Sequence, residues 1–206
     1  MKNILLLFTF GIAIQVSAQD TVIVRYPNGL IKSRGAFLNG KREGPWKYYY
    51  PTGELNAVQT FNHDVLHGRV HYYYINGKTE SVENWHNGVL QDSAFYYYDN
   101  GQLHRKGVFD HSRYAGTWVY FHPNGNKQRI IEYENGLPNG RIEVFNERGI
   151  LNQQGYYVSG QEYGEWKFYD DEGRLAYSGN YTAGKRSGKW YRYNRAGKPK
   201  EWKYTD

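Results

Sequence analysis

Glycine returns at a constant interval of 24 residues along this chain. Gly29, Gly53, Gly77, Gly101, Gly125, Gly149, Gly173 and Gly197 form one unbroken column. Three further columns keep the same interval: Gly44, Gly68, Gly116, Gly140, Gly164 and Gly188; Gly40, Gly88, Gly136, Gly160 and Gly184; Gly35, Gly107, Gly155 and Gly179. Every glycine except Gly11 belongs to one of the four. Glycine is needed where the backbone takes positive φ or where another group approaches closely. Fixed glycine columns therefore mean fixed turns, and function is to be sought on a repeating surface.

The unit is visible from Gly164 onward. Glu165-Trp166-Lys167-Phe168-Tyr169 is followed by Asp170-Asp171-Glu172-Gly173, then by Arg174 to Tyr181, then by Thr182-Ala183-Gly184-Lys185. The aromatic and β-branched segments read as strands and the glycine-bearing segments as turns. Asn28-Gly29, Asn76-Gly77, Asn100-Gly101 and Asn124-Gly125 carry the Asn-Gly signal of a tight hairpin turn. The second connection, such as Asn87 to Gln91, reads as longer. No helical periodicity appears after residue 18. Eight such units predict an all-β fold: an elongated single-layer antiparallel meander of consecutive hairpins, about 16 strands wide and ~75 Å long.

Side-chain columns predict how the hairpins hold together. Trp46, Val70, Ala94, Trp118, Ile142, Trp166 and Trp190 form an apolar column. Phe37, Phe61, Trp85, Phe109, Tyr133, Tyr157 and Tyr181 form an aromatic one, and Ile31, Leu55, Leu103, Leu151 and Leu175 a softer one. A two-residue Asn-Gly turn puts these three on one face, with Trp166 opposite Gly179, where a missing Cβ leaves room for an indole. Tyr49, Tyr73, Tyr97, Phe121, Phe145, Tyr169 and Tyr193 then share the other face, as a candidate binding strip. A three-residue turn reverses the choice; the two-residue register is favoured.

Residues 1–18 read as a cleaved secretory signal: Lys2, an apolar run from Ile4 to Val16, and Val16-Ser17-Ala18 as the cleavage site. The expected mature repeat domain is 19–206, exported to the periplasm or beyond the cell, with no membrane span. The chain has no cysteine, so neither disulfides nor thiolate metal sites are available. Formal net charge is +6. Residues 19–182 are near neutral, so the excess lies in the last repeat: Lys185, Arg186, Lys189, Arg192, Arg195 and Lys198 lead a basic terminal patch. This reads as a solvated cap on the array, or as a docking point for an acidic surface. It is too local for a nucleic-acid partner, which needs a continuous basic face.

Candidate chemistry is sparse. All seven histidines lie between residues 63 and 122, and His63, His67 and His71 are the densest group. Residues four apart on a strand lie about 13 Å apart, so only a loop lets them share a metal. His63 and His111 fall in the column that elsewhere holds Asn39, Asn87 and Asn135, which favours a turn role. Asp170-Asp171-Glu172 lacks the ligand spacing of a calcium loop. No nucleophile elbow, phosphate loop or zinc-protease motif occurs. The expectation is a non-enzyme with no cofactor and no metal site.

The pattern Gly-x-Trp-x-x-Tyr, Gly-x-Leu-x-x-x-Gly-x-Tyr, Gly-x-x-x-Gly, running from Gly164 to Gly188, resembles the MORN repeat in its bacterial variant form. The likeness extends over essentially all of residues 19–206. It implies a hairpin per repeat in one elongated sheet; bacterial proteins of this kind include YwqK-type antitoxin components of toxin–antitoxin pairs. The third repeat departs from it, with Glu83, Asp92 and Ala94 in place of glycine, glycine and tryptophan. The function expected is a secreted scaffold that binds another protein through a sheet face. The alternatives are cell-wall or other glycan binding by the aromatic strip, and antitoxin-like neutralisation of a partner.

Overall fold

The computed structural model describes residues 20–204, so the expected signal segment, 1–18, lies outside the described residues. All regular structure described is β. The strands are β1 (Asp20–Arg25), β2 (Ile31–Leu38), β3 (Lys41–Tyr49), β4 (Leu55–Asn62), β5 (Val65–Leu66), β6 (Gly68–Tyr73), β7 (Thr79–His86), β8 (Val89–Leu90) and β9 (Asp92–Tyr97). They continue with β10 (Leu103–Asp110), β11 (Arg113–Phe121), β12 (Lys127–Glu134), β13 (Leu137–Phe145), β14 (Leu151–Val158), β15 (Gln161–Tyr169), β16 (Leu175–Thr182), β17 (Lys185–Tyr193) and β18 (Pro199–Trp202). Each pairs antiparallel with its chain neighbours in one open sheet. β5–β6 and β8–β9 are each one strand interrupted at a bulge, and joining them leaves the sixteen strands expected.

The two kinds of turn are the reverse of the sequence expectation. The Asn-Gly column closes three-residue loops: Gly53 N–H donates to the Tyr50 carbonyl at 2.9 Å and Tyr50 N–H to the Glu54 carbonyl at 2.8 Å. Only the glycine of that loop has positive φ, +105° at Gly53. The true two-residue turns lie at the other connection, where both central residues have positive φ: Asn39 (52°) with Gly40 (75°), His63 (51°) with Asp64 (71°). That is the type I′ signature.

A three-residue turn alone would slip the register by one and flip every side chain. It does not, because the strand after each such turn carries one extra residue, β18 excepted. Tyr169 pairs with Leu175 but Phe168 pairs with Tyr177, so Ala176 is bulged. Beyond the bulge Trp166 faces Gly179, as the two-residue register requires. The Leu column is the casualty: Leu55, Leu103, Leu151 and Leu175 pair with Tyr49, Tyr97, Phe145 and Tyr169, away from the tryptophans.

The glycine columns divide by task. The Gly44 column, at φ values such as +67°, makes a second bulge that offsets each tight hairpin by two residues, as between Gln154–Lys167 and Tyr156–Tyr163. Asp92 adopts φ +64° in that column, so the third repeat keeps its backbone shape. The Gly35 column is different, because its φ is not positive and its role is clearance. A Cβ on Gly107 would lie 2.2 Å from the Trp118 ring, and one on Gly179 would lie 2.2 Å from Trp190. Each indole therefore lies over the glycine eleven residues before it, and Trp166 lies over Gly155 and not over Gly179, its partner across the following turn.

The result is a core built on one face of a single layer. Trp118, Trp166 and Trp190 are at most 1% exposed. Phe109 and Tyr114 meet Trp118 edge-on at 5.0 and 4.4 Å, and Tyr157 and Tyr181 meet Trp166 at 5.3 and 5.7 Å. Burying each such ring stabilises the sheet by about 2–3 kcal/mol. The indole N–H groups of Trp46, Trp118 and Trp190 donate to the carbonyls of Ala36, Val108 and Asn180.

Candidate functional site

The two faces of the sheet differ sharply, and paired residues settle which side chain lies on which. The tryptophan face carries a third row that the sequence reading missed. Tyr48, Tyr72, Tyr96, Tyr120, Val144 and Phe168 stand two residues after the tryptophan column, and Trp118 contacts Tyr96 and Tyr120 at 6.4 and 6.3 Å. Alternation within β3, β11 and β15, Trp-x-Tyr or Trp-x-Phe, was the available signal. Arginines close over these rings: Arg42 over Phe61 at 4.0 Å, Arg105 over Tyr96 at 4.3 Å, Arg129 over Tyr120 at 4.1 Å. Burial drives the Tyr96 hydroxyl well above the ordinary tyrosine range, with Glu83 adding to the shift.

The expected strip lies on the opposite face. Arg34 stacks on Tyr49 at 5.8 Å, His71 on Tyr73 at 6.3 Å, Gln154 donates to the Tyr169 hydroxyl at 2.8 Å, and Ser178 meets the Tyr193 hydroxyl at 3.0 Å. Tyr97, Phe121 and Phe145 hold equivalent positions. All seven rings are half-buried. Beside them a central row runs across the strands through Val58, His71, Val82, Phe95, Lys106, Val119 and Ile130, apolar except at His71 and Lys106. Along the margin near the tight turns the apolar side chains stand out further: Val108, Leu137, Tyr156 and Tyr163 are 43, 52, 46 and 51% exposed. No strand or loop among the described residues lies over this face.

Turn ladders run along both margins. On the three-residue side, the hydroxyls of Tyr26, Tyr50, Tyr74 and Tyr98 each donate to a carbonyl one repeat on, from Tyr49 to Phe121, at 2.7–2.8 Å. Asn28, Asn76, Asn100 and Asn124 donate from Nδ2 to the carbonyls of Pro51, Asp99, Pro123 and Glu147. Asparagine is favoured here for that bridge, not for left-handed φ. On the tight-turn side, Glu43, Gln91 and Asn139 accept the N–H of His63, His111 and Ser159.

The histidines belong to these ladders and rows. His63 and His111 occupy left-handed turn positions, at φ 51° and 48°. Nδ1 of His67 lies 3.5 Å from the Asn87 N–H, and His71 stacks on Tyr73. Among the described residues no three histidine, aspartate or glutamate side chains converge as metal ligands would. Asp170, at the calcium-like run, binds its own turn and pairs with Arg174 at 2.7 Å.

The basic terminal residues do not form one patch. Arg186 lies over the rings of Trp190, Trp202 and Tyr204 on the tryptophan face, at 5.0, 5.1 and 5.6 Å. Arg192 pairs with Tyr177 on that same face. Lys189 turns to the other face and pairs with Glu201 at 3.2 Å. Lys185 flanks the last tight turn, and Arg195 and Lys198 lie in the exposed loop before β18.

Four segments match the MORN repeat variant. They are residues 42–63, 93–111, 115–135 and 162–183. MORN repeats are non-enzymatic repeats that mediate interactions with proteins and membranes. No curated protein matches the chain. Among solved structures, the chain resembles "TcdB2-TccC3-Cdc42" at 13% identity and TM-score 0.20, over 86% of this chain and 13% of that one. A protein of unknown function from Bacteroides fragilis aligns at 9% identity and TM-score 0.12, over 91% of both chains. The chain thus spans only 13% of the first structure's length. No helix among the described residues is long and apolar enough to cross a membrane.

Proposed function

We propose that this chain is an exported, non-catalytic scaffold that holds another protein against the face bearing Tyr49, Tyr73, Tyr97, Phe121, Phe145, Tyr169 and Tyr193. One observation carries this reading. No described strand or loop covers that face, yet it bears a half-buried aromatic strip, a largely apolar central row from Val58 to Ile130, and an exposed apolar margin. An apolar surface of that extent marks an interaction site. Tyrosine supplies large, stiff contact area with a polar tip. Folding does not depend on those rings, because the tryptophan face already holds the hairpins together.

The test is Tyr97→Ala with Phe121→Ala in the mature chain, used to capture partners from an extract of the producing organism's exported proteins. The variant keeps its far-UV circular dichroism and loses the partner retained by the parent chain. Unfolding of the variant would show the strip to be core and defeat the reading. Sedimentation of the parent chain with insoluble cell-wall polysaccharide, lost in the same variant, would replace the protein partner with a glycan.

A further inference from the structure

The tryptophan face carries positive charge that the packing does not require. In the row that alternates with Tyr48, Tyr72, Tyr96 and Tyr120, the early repeats place Ser33, Ala57 and Ser81, all buried. Small side chains thus complete the layer. The next two repeats place Arg105 and Arg129 there instead, on either side of Tyr120. Arg42, elsewhere on the face, is satisfied by Asp64 at 2.9 Å. Arg105 and Arg129 have no hydrogen-bond acceptor and no ion-pair partner among the described residues, and both Nε atoms are buried without a partner. The carboxylates paired onto this face include Glu83, Asp92 and Glu162. None lies within ion-pair distance of either guanidinium, and Glu83 instead accepts from the Tyr96 hydroxyl and the Trp85 indole at 3.0 and 3.1 Å. By contrast Glu43, Glu132, Glu143, Glu165 and Glu201 all pair onto the opposite face.

We propose that Arg105 and Arg129 form a twin carboxylate-binding site on the tryptophan face, occupied by an acidic segment of a protein partner. Each guanidinium is held over a tyrosine ring, at 4.3 and 4.1 Å, with its Nε buried, which leaves the two terminal nitrogens as a fork that a carboxylate fills with two parallel hydrogen bonds. Stacking fixes that orientation before the ligand arrives, so little side-chain entropy is lost on binding. The two forks stand two strands apart, roughly 10 Å. That span suits one peptide carrying two separated acidic side chains better than one small acid. Arg186, Arg192 and Lys200 continue the positive charge toward the C-terminal edge of the same face, which steers an acidic chain along it. This site is independent of the opposite face and of whatever binds there.

The test is fluorescence anisotropy of a labelled Asp/Gly peptide titrated with the mature chain at low and moderate salt. Arg105→Gln with Arg129→Gln is expected to weaken binding at least tenfold. Arg69→Gln with Arg141→Gln removes the same charge from exposed positions on the opposite face and is expected to change it less than twofold. Arg105→Lys with Arg129→Lys keeps the charge, loses the fork and falls between, which preserves the test should the glutamine pair fail to fold. Equal losses in the two glutamine pairs would reduce the effect to net charge and overturn the proposal. So would absence of peptide binding by the parent chain, or Arg105- and Arg129-dependent binding to phosphatidylserine vesicles without binding to the peptide.

Discussion

Gly107→Ala is the most informative single substitution in the sheet. The added Cβ would lie 2.2 Å from Trp118 Cδ2 and 2.3 Å from its Cε2. No rotation of a methyl group relieves that, so the indole must leave. Trp118 is 0% exposed and touches Phe109, Tyr114, Tyr96 and Tyr120. Ejecting a ring that buries about 200 Å² costs up to about 5 kcal/mol at 25 cal/mol per Å². A partial slide lowers the expected loss to about 3 kcal/mol. The neighbouring repeat has Ile131 and Ile142 at the two positions. Gly107→Ala with Trp118→Ile therefore imitates an arrangement that the sheet already accommodates. Trp118→Ile alone costs about 2–3 kcal/mol. In urea unfolding followed by circular dichroism, the double variant should lose at least 1.5 kcal/mol less than the two singles added together. Additivity within about 0.5 kcal/mol would refute the claim that ring and glycine are one contact.

Asp92→Gly should stabilise the chain by about 1 kcal/mol, since Asp92 holds φ +64° where six other repeats use glycine; a lower urea midpoint would contradict this. His71 and His104 are held below the ordinary histidine range, in each case chiefly by burial and secondarily by Arg69 and Arg105 respectively. A depressed folded value means that the unfolded chain binds protons first, so their contribution is complete above about pH 6.5 and is lost as pH falls through the folded values. Thermal melts between pH 7.5 and 5 should show that decline, and His71→Gln with His104→Gln should flatten it. An unchanged slope in the double variant would defeat the assignment.

The period, the all-β class and the tryptophan core were legible because each rests on residue types that recur at fixed positions. Turn lengths were not, because Asn-Gly is a type I′ signal, whereas Asn28 and its equivalents serve a side-chain bridge to the next repeat. The clue to the indole's true seat was nevertheless in the chain. Gly35, Gly107, Gly155 and Gly179 each precede a tryptophan by eleven residues, whereas Gln59, Glu83 and Ile131 precede Val70, Ala94 and Ile142. Pairing across the other turn matches Trp46 with Gln59 and Trp118 with Ile131, two combinations with no room for a ring. The arginines over Tyr96 and Tyr120 were not legible. In sequence they are two cations among many, and only the register places them on the face that most carboxylates avoid.

Facial sidedness itself rests on two irregularities that cancel. The turn Glu147-Arg148-Gly149 carries one residue more than a two-residue hairpin, and Asn152 carries the compensating one, since Phe145 pairs with Leu151 while Val144 pairs with Gln153. Deleting Asn152 alone leaves an odd offset. Either β14 flips, moving Gly155 and Tyr157 off the face where Trp166 packs, or the turn distorts. Deleting Asn152 and Arg148 together leaves a two-residue Glu147-Gly149 turn with Asn146 opposite Ile150, and the Val144–Gln153 pair is regained. The single deletion should therefore destabilise by at least the roughly 2–3 kcal/mol of one buried ring. The double deletion should recover most of that loss and the tryptophan emission of the parent. If removing the second residue made matters worse, the turn and the bulge would not be partners, and the even spacing of faces along the array would need another cause.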